Sequence, residues 1–171
     1  MTKKIAIVGP ESTGKSELAK GLAAHFETEF VAEIARSYLE KLTRPYNSQD
    51  VESIARLQLD AEEQIKSNAN GFLFCDTNLL VIKIWMENAF GFCPEWILSS
   101  LKINTYDLIL LTDIDLPWQP DPLREHPNER EYFFDLYKNE LEQSGARFFV
   151  VSGFGEVRTQ KAIEIIQSNP N

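Results

Sequence analysis

Three stretches of this sequence are apolar at every position, with none of the alternation a half-exposed strand shows: Phe72-Leu73-Phe74-Cys75, Leu108-Ile109-Leu110-Leu111 and Phe148-Phe149-Val150-Val151. Such runs suit strands covered on both faces, as in a parallel sheet packed between helices. Lys4 to Val8 is a fourth β-rich run, and Phe30-Val31 suggests a short fifth strand. Between the strands the apolar spacing turns helical: Leu18, Leu22 and Phe26 recur every four residues, and Ile34, Tyr38 and Leu42 mark a helix ending before Pro45. Ser48 opens another helix, carried on by Val51, Ile54, Ala61 and Ile65 and closed by Asn70-Gly71. Further helices are expected at about Leu79 to Phe90, Pro94 to Lys102, Glu129 to Ser144 and Glu156 to Gln167. Five strands alternating with helices predict an α/β fold, a three-layer α/β/α sandwich around a mostly parallel five-stranded sheet. The 171 residues suit a single domain spanning 1–171.

In such sheets ligands sit at the carboxyl ends of the strands. That rule gathers Gly9, Glu33, Asp76 and the segment after Thr112 around one cleft. Gly9-Pro10-Glu11-Ser12-Thr13-Gly14-Lys15-Ser16 follows the first strand and opens the first helix, and it fits the pattern G-x-x-x-x-G-K-[ST]. Both contexts a P-loop requires are therefore met. The glycines let backbone N–H groups turn inward, and the helix N-terminus adds its dipole. Lys15 is expected to reach the β- and γ-phosphates of ATP and Ser16 to ligate Mg²⁺. Candidate nucleotide contacts are Gly9, Glu11, Ser12, Thr13, Gly14, Lys15, Ser16 and Glu17.

Asp76 ends the third strand, where a carboxylate holds Mg²⁺ with Ser16; a cap on the following helix is the structural alternative. Glu33 and Arg36 share a helical face at the end of the second strand, taken here to lie next to the P-loop strand. They read either as a surface ion pair or as a proton acceptor and a guanidinium on the substrate side. Pro117, Pro120, Pro122 and Pro127 crowd the segment from Asp113 onward. No helix or inner strand accommodates that density, so about 113–130 is expected to be a lid loop. Trp118 in it could anchor the loop on the core, or stack on a flat cationic ring. Arg124 and Arg130 could pair with Glu125, Glu129 and Glu131, or neutralise charge on a transferred phosphoryl group. His25 reads as half-buried and structural, His126 as solvated, Trp85 as core, and Trp96 as core or on a substrate-side helix.

The formal net charge of −9 argues against a nucleic-acid partner or an anionic membrane surface. No apolar stretch approaches the roughly 20 residues of a membrane span, and the four apolar residues after Lys4 are too few for the apolar region of a secretory leader. Cys75 and Cys93 form neither a disulfide framework nor a metal spacing, so a reducing cytoplasm is the expected compartment. Nothing in the sequence specifies an oligomeric state.

Taken together, GPESTGKS (9–16), VAEIARSYL (31–39), FCDTN (74–78) and DLILLTDIDLPWQPDPLR (107–124) with Arg130 resemble the nicotinamide riboside kinase domain of NadR-type proteins, within the P-loop NTPase and kinase class. The resemblance runs over nearly the whole chain. It implies transfer of the ATP γ-phosphate, with Mg²⁺, to the 5′-hydroxyl of nicotinamide riboside, giving nicotinamide mononucleotide. It further implies that Trp118 stacks on the nicotinamide ring, that Glu33, Arg36 and Asp76 serve the substrate side, and that Lys15, Glu33, Asp76, Arg124 and Arg130 are the catalytic set. Two departures stand out. Met1 lies close before the P-loop strand, so the adenylyltransferase and DNA-binding domains of NadR-type chains are expected to be missing. Pro120-Asp121-Pro122 also replaces the usual acidic-glycine turn of the lid. Glu33 and Asp76 both fit the role of base. The rival readings are a kinase for another nucleoside or small hydroxyl compound, and a nucleotide-dependent switch binding a protein partner. The guanine signature Asn-Lys-x-Asp does not occur, and an AAA-type oligomeric motor lacks room for a helical domain after the sheet.

Overall fold

The computed structural model describes residues 2–169. Its elements in chain order are β1 (Lys3–Val8), α1 (Lys15–His25), β2 (Phe30–Val31), α2 (Ile34–Leu39), α3 (Ser48–Lys66), β3 (Phe72–Asp76), α4 (Leu79–Phe90), α5 (Glu95–Ile103), β4 (Leu108–Thr112), α6 (Arg130–Ser144), β5 (Phe148–Val151) and α7 (Gly155–Ser168). The strands form one parallel sheet in the order β2-β3-β1-β4-β5. The strand entering the P-loop is therefore central, with β3 and β4 as its neighbours. This corrects the expected place of Glu33, because β2 pairs only with β3 and one strand separates Glu33 from β1.

Alternation along β1 sorts the core onto two faces. Ile5 and Ile7 pack with Phe74, Leu108 and Leu110 against Leu18 and Leu22 of α1 and Ile163 and Ile166 of α7. Ala6 and Val8 face the other way with Ile109 and Leu111, against Leu80 and Ile84 of α4 and Phe133, Tyr137 and Leu141 of α6. A further cluster of Val51, Ile54, Leu79, Ile82, Met86 and Ile97 binds α3, α4 and α5 together. The three-layer sandwich is thus present, and β4 is buried at every position as its unbroken apolar run requires. Among the described residues no helix is long and apolar enough to cross a membrane.

Residues 113–129 contain neither helix nor strand, and α6 starts at Arg130. The other irregular segment that matters, residues 43–47, is fixed by a capping box: the Asn47 side chain accepts from the backbone of Gln49 and Asp50, and Asp50 accepts from Asn47 N. Asp50 also takes Arg44 through both guanidinium nitrogens, at 2.7 and 2.9 Å, and the Tyr38 hydroxyl at 3.1 Å. These bonds to a charged partner hold the Asp50 carboxyl well below the usual range. The knot fixes the position of Tyr46.

Candidate active site

The phosphate loop owes its shape to two glycines. Gly9 has φ +145°, and a Cβ there would lie 2.3 Å from Thr112 Oγ1 on the neighbouring strand. Gly14, at φ +76°, is the N-cap of α1, and no side chain caps that helix, so its first N–H groups stay open to an anion. The Lys15 ammonium lies back on the loop, donating to Gly9 O at 3.0 Å and Pro10 O at 2.8 Å. Thr13 is fully buried and its hydroxyl is held by Pro10 O and Thr112 Oγ1, each at 2.7 Å. Glu17 is exposed on α1 at the cavity rim.

The register of β1 on β3 sets Ile7 opposite Asp76, bringing that carboxylate beneath the loop. Asp76 Oδ2 accepts the Ser16 hydroxyl at 2.5 Å, while Oδ1 is buried with no hydrogen-bond partner. Burial first, and then the nearby Glu33 charge, lift the Asp76 carboxyl to about 6. Thr77 follows at φ +75°, a strained conformation for a β-branched residue. That kink frees Asn78, whose side chain caps α4 by accepting from Leu80 N at 3.0 Å; the capping role therefore belongs to Asn78, not Asp76. An orphaned carboxylate oxygen beside a hydroxyl fits Mg²⁺, a cation that takes few protein ligands and completes its shell with water and phosphate oxygens. Among the described residues no cluster of three or more His, Cys, Asp or Glu residues suited to a metal occurs, and such a site requires none.

The lid lies across the loop and is bound to it at several points. The Glu11 carboxylate accepts from Glu125 N at 3.1 Å and His126 N at 3.0 Å. Ser12, itself at φ +58°, accepts from Gln119 N at 2.9 Å and from Arg124 at 3.4 Å. Arg130 donates to Ser12 O at 3.3 Å and Leu116 O at 2.8 Å. The Trp118 ring has both cations against it, Arg124 at 6.0 Å and Arg130 at 5.8 Å from its centroid. On the far side Asp121 meets Arg36 at 3.1 Å, and Glu125 accepts the Tyr46 hydroxyl at 2.8 Å. The Pro-Asp-Pro turn thus supplies the carboxylate that ties the lid to α2.

A cavity of about 1260 Å³ runs under this lid along the carboxyl edge of the sheet. It exceeds the roughly 300–1,000 Å³ of a pocket for one small ligand. Its lining combines residues 9–17, Phe154, Glu156 and Arg158, which follow the central strand β1 and the edge strand β5, with Glu33, which follows the opposite edge strand β2. Arg36, Tyr46, Gln58, Trp85 and Asn88 join them from the α2, α3 and α4 region. Of the expected site residues, Glu33, Arg36 and Arg124 line it together with the loop, whereas Asp76, Trp118 and Arg130 are not among its lining residues. Trp85 is half-buried in the wall instead of being enclosed in the core, and its indole donates to Tyr46 Oη at 3.1 Å. Trp96 is half-buried away from the cavity, donating to Glu52 at 2.8 Å beneath Arg56. His25 is exposed, and His126 is half-buried against Phe133 and within 2.7 Å of Glu129, the reverse of the expected environments.

Residues the sequence reading missed are Tyr46, Gln58, Asp115 and Arg158. Arg158 is 3% exposed and donates to Gly153 O at 2.8 Å, Asp113 O at 3.2 Å, Thr13 O and the Asp115 carboxylate. It joins the lid root and the phosphate loop to α7. The signal for Arg158 is the strand-end rule applied to β5, which points to residues 153–158.

A parallel sheet with a central strand running into this loop, an acidic neighbour beneath it and a lid above it define a P-loop nucleotide-binding protein with a kinase fold. The model of the family described as AAA domain matches residues 4–158, and the chain belongs to that family. Over 154 residues the chain is 26% identical to the trifunctional NAD biosynthesis/regulator protein NadR of Escherichia coli K12, covering 85% of this chain and 37% of that protein. It thus spans little more than a third of that relative's length. A crystal structure of NadR protein in complex with NR superposes with a TM-score of 0.82 at 21% identity, over 98% of this chain and 50% of that one. A deoxyadenosine kinase from M. mycoides, solved with products bound, gives 0.67 at 16% identity over 96% and 99%.

Proposed function

We propose that the protein is an ATP-dependent kinase that phosphorylates the 5′-hydroxyl of nicotinamide riboside, yielding nicotinamide mononucleotide and ADP. The observation that carries this reading is the single cavity joining a phosphate loop to an aromatic wall, large enough for two substrates side by side. Similarity to NadR, seen in sequence and in the structure of a NadR protein with NR, supports the choice of acceptor.

The open N–H groups of residues 9–16 receive the phosphates, and the Lys15 ammonium leaves the loop carbonyls to pair with them. Ser16 and Asp76 would hold Mg²⁺, which would supply neutralisation of the phosphate charge. Glu33 lines the cavity with its carboxylate uncommitted, whereas Asp76 is engaged by Ser16. We therefore assign Glu33 to take the acceptor proton as the phosphoryl group moves. Arg124 and Arg130, already over the loop, offset charge spreading on that group. With the lid as it stands, the acceptor ring meets Tyr46 and Trp85. Trp118 is occupied by two cations and reaches a pyridinium when that ring displaces the arginines from its face.

The likeness to a nucleoside kinase favours a second acceptor class, other nucleosides. ADP release measured with a panel of nicotinamide riboside, purine and pyrimidine nucleosides, and no acceptor separates the readings. Strong release with nicotinamide riboside is expected. Release dominated by another nucleoside moves the assignment to that acceptor, and equal turnover without acceptor marks a nucleotide switch.

A further inference from the structure

Gln58 is a polar residue in a position built for an apolar one. It lies on the inward face of α3 in line with Val51, Ile54 and Ala55, is 2% exposed, and borders the cavity. Its amide nitrogen Nε2 is buried with no acceptor in the protein. Buried amides are almost always paired, because stripping water from an N–H without replacing it is unfavourable. The only other orphan of this kind among the described residues is Asp76 Oδ1, on the residue whose other oxygen accepts from Ser16 of the phosphate loop. One orphan thus sits beside the phosphate loop and the other borders the cavity, and they are opposite in kind: one seeks a cation, the other an oxygen. Helices α2 and α4 pack against α3, and Arg36 of α2, Trp85 of α4 and Tyr46 before α3 line the same cavity as Gln58.

We propose that Gln58 is a specificity residue of the acceptor site, donating its amide N–H to an uncharged oxygen of the bound riboside, a sugar hydroxyl or the ring carboxamide. The inference rests on the kinase reading above and assigns the acceptor end a polar contact besides its aromatic wall. An enclosed donor of this type rewards an acceptor that brings the matching oxygen and discriminates against one that does not.

The test compares wild type with Gln58→Leu and with Gln58→Met, which keeps the length of the side chain but carries no donor. Steady-state kinetics use nicotinamide riboside, its 2′-deoxy and 3′-deoxy analogues, and the riboside of unsubstituted pyridine. Both variants are expected to raise the KM for nicotinamide riboside about tenfold, the loss of one neutral hydrogen bond, with the effect falling on that KM and not on the KM for ATP. One of the three analogues is expected to be indifferent to the substitution, and it identifies the oxygen involved. The ligand-free melting temperature of Gln58→Leu is expected to equal or exceed that of wild type, since an unpaired polar group has been removed. An unchanged acceptor KM, an equal penalty on every analogue, or a lowered melting temperature with both KM values shifted overturns the assignment of Gln58 and leaves the kinase reading standing. Wild type inert toward nicotinamide riboside overturns that reading itself, and the Gln58 assignment with it.

Discussion

Replacing Asp76 with asparagine is expected to stabilise the ligand-free protein, by an amount that grows with pH. Asp76 is 1% exposed, and burial assisted by Glu33 raises its pKa from 3.8 to about 6. Below 3.8 the group is protonated whether the chain is folded or not, and it imposes no penalty. Between 3.8 and about 6 the folded chain retains a proton that the unfolded chain has released, so stability falls as pH rises. Above about 6 both states are ionised and the full cost of the buried charge is present. At 1.36 kcal/mol per pH unit that cost is about 3 kcal/mol. Asparagine keeps an oxygen to accept from Ser16 but gives a weaker bond than a carboxylate, which lowers the expected gain to about 2 kcal/mol. For a domain of this size that corresponds to roughly 4–8 °C in Tm. Melts of both proteins without Mg²⁺ or nucleotide, from pH 4 to 8, should therefore converge at the acid end and separate toward neutrality. A gap constant across this range, or a variant less stable than wild type at pH 7.5, would refute the assignment of a costly buried carboxylate. The same substitution is expected to weaken Mg²⁺-dependent ATP binding, so the cost to stability is incurred at a residue placed for function.

Two further perturbations address the lid. Glu11→Ala removes the acceptor for two backbone amides, and hydrogen exchange at Glu125 and His126 is expected to accelerate about five- to thirtyfold; unchanged protection would show that other contacts hold the lid. Trp118→Ala is expected to raise the acceptor KM several-fold, up to about thirtyfold, with the KM for ATP little altered. An unchanged acceptor KM would leave the ring to Trp85 and Tyr46.

The parts of this structure written in local pattern were legible in the sequence. Unbroken apolar runs marked β3 and β4 as covered strands, the glycine spacing marked the phosphate loop, and proline density marked the lid; the same pattern misled at β5, which is an edge strand with Val150 exposed. Strand order carried no such signal: β2 is two residues long, and nothing in Phe30-Val31 states that β3 lies between it and β1. The acceptor end was illegible for a related reason. Tyr46, Gln58 and Trp85 come from three segments, and Gln58 and Trp85 sit within helical periodicities that read as core. Their role depends on which side of a helix borders empty space, a property of packing. The Glu11 carboxylate sits inside the phosphate motif, yet its hydrogen bonds run to the lid, across more than a hundred residues of chain.

The contact between Gly9 and Thr112 has a consequence for how such a chain can drift through mutation. A methyl group at position 9 would collide with the Thr112 side chain, while that same hydroxyl donates to Val8 O at 3.1 Å and bonds Thr13, 99 residues away. Neither position can change alone without disturbing the floor of the phosphate loop. Relatives with a larger residue at the first glycine are expected to carry a smaller partner at the end of β4, so the two sites should be inherited as a pair.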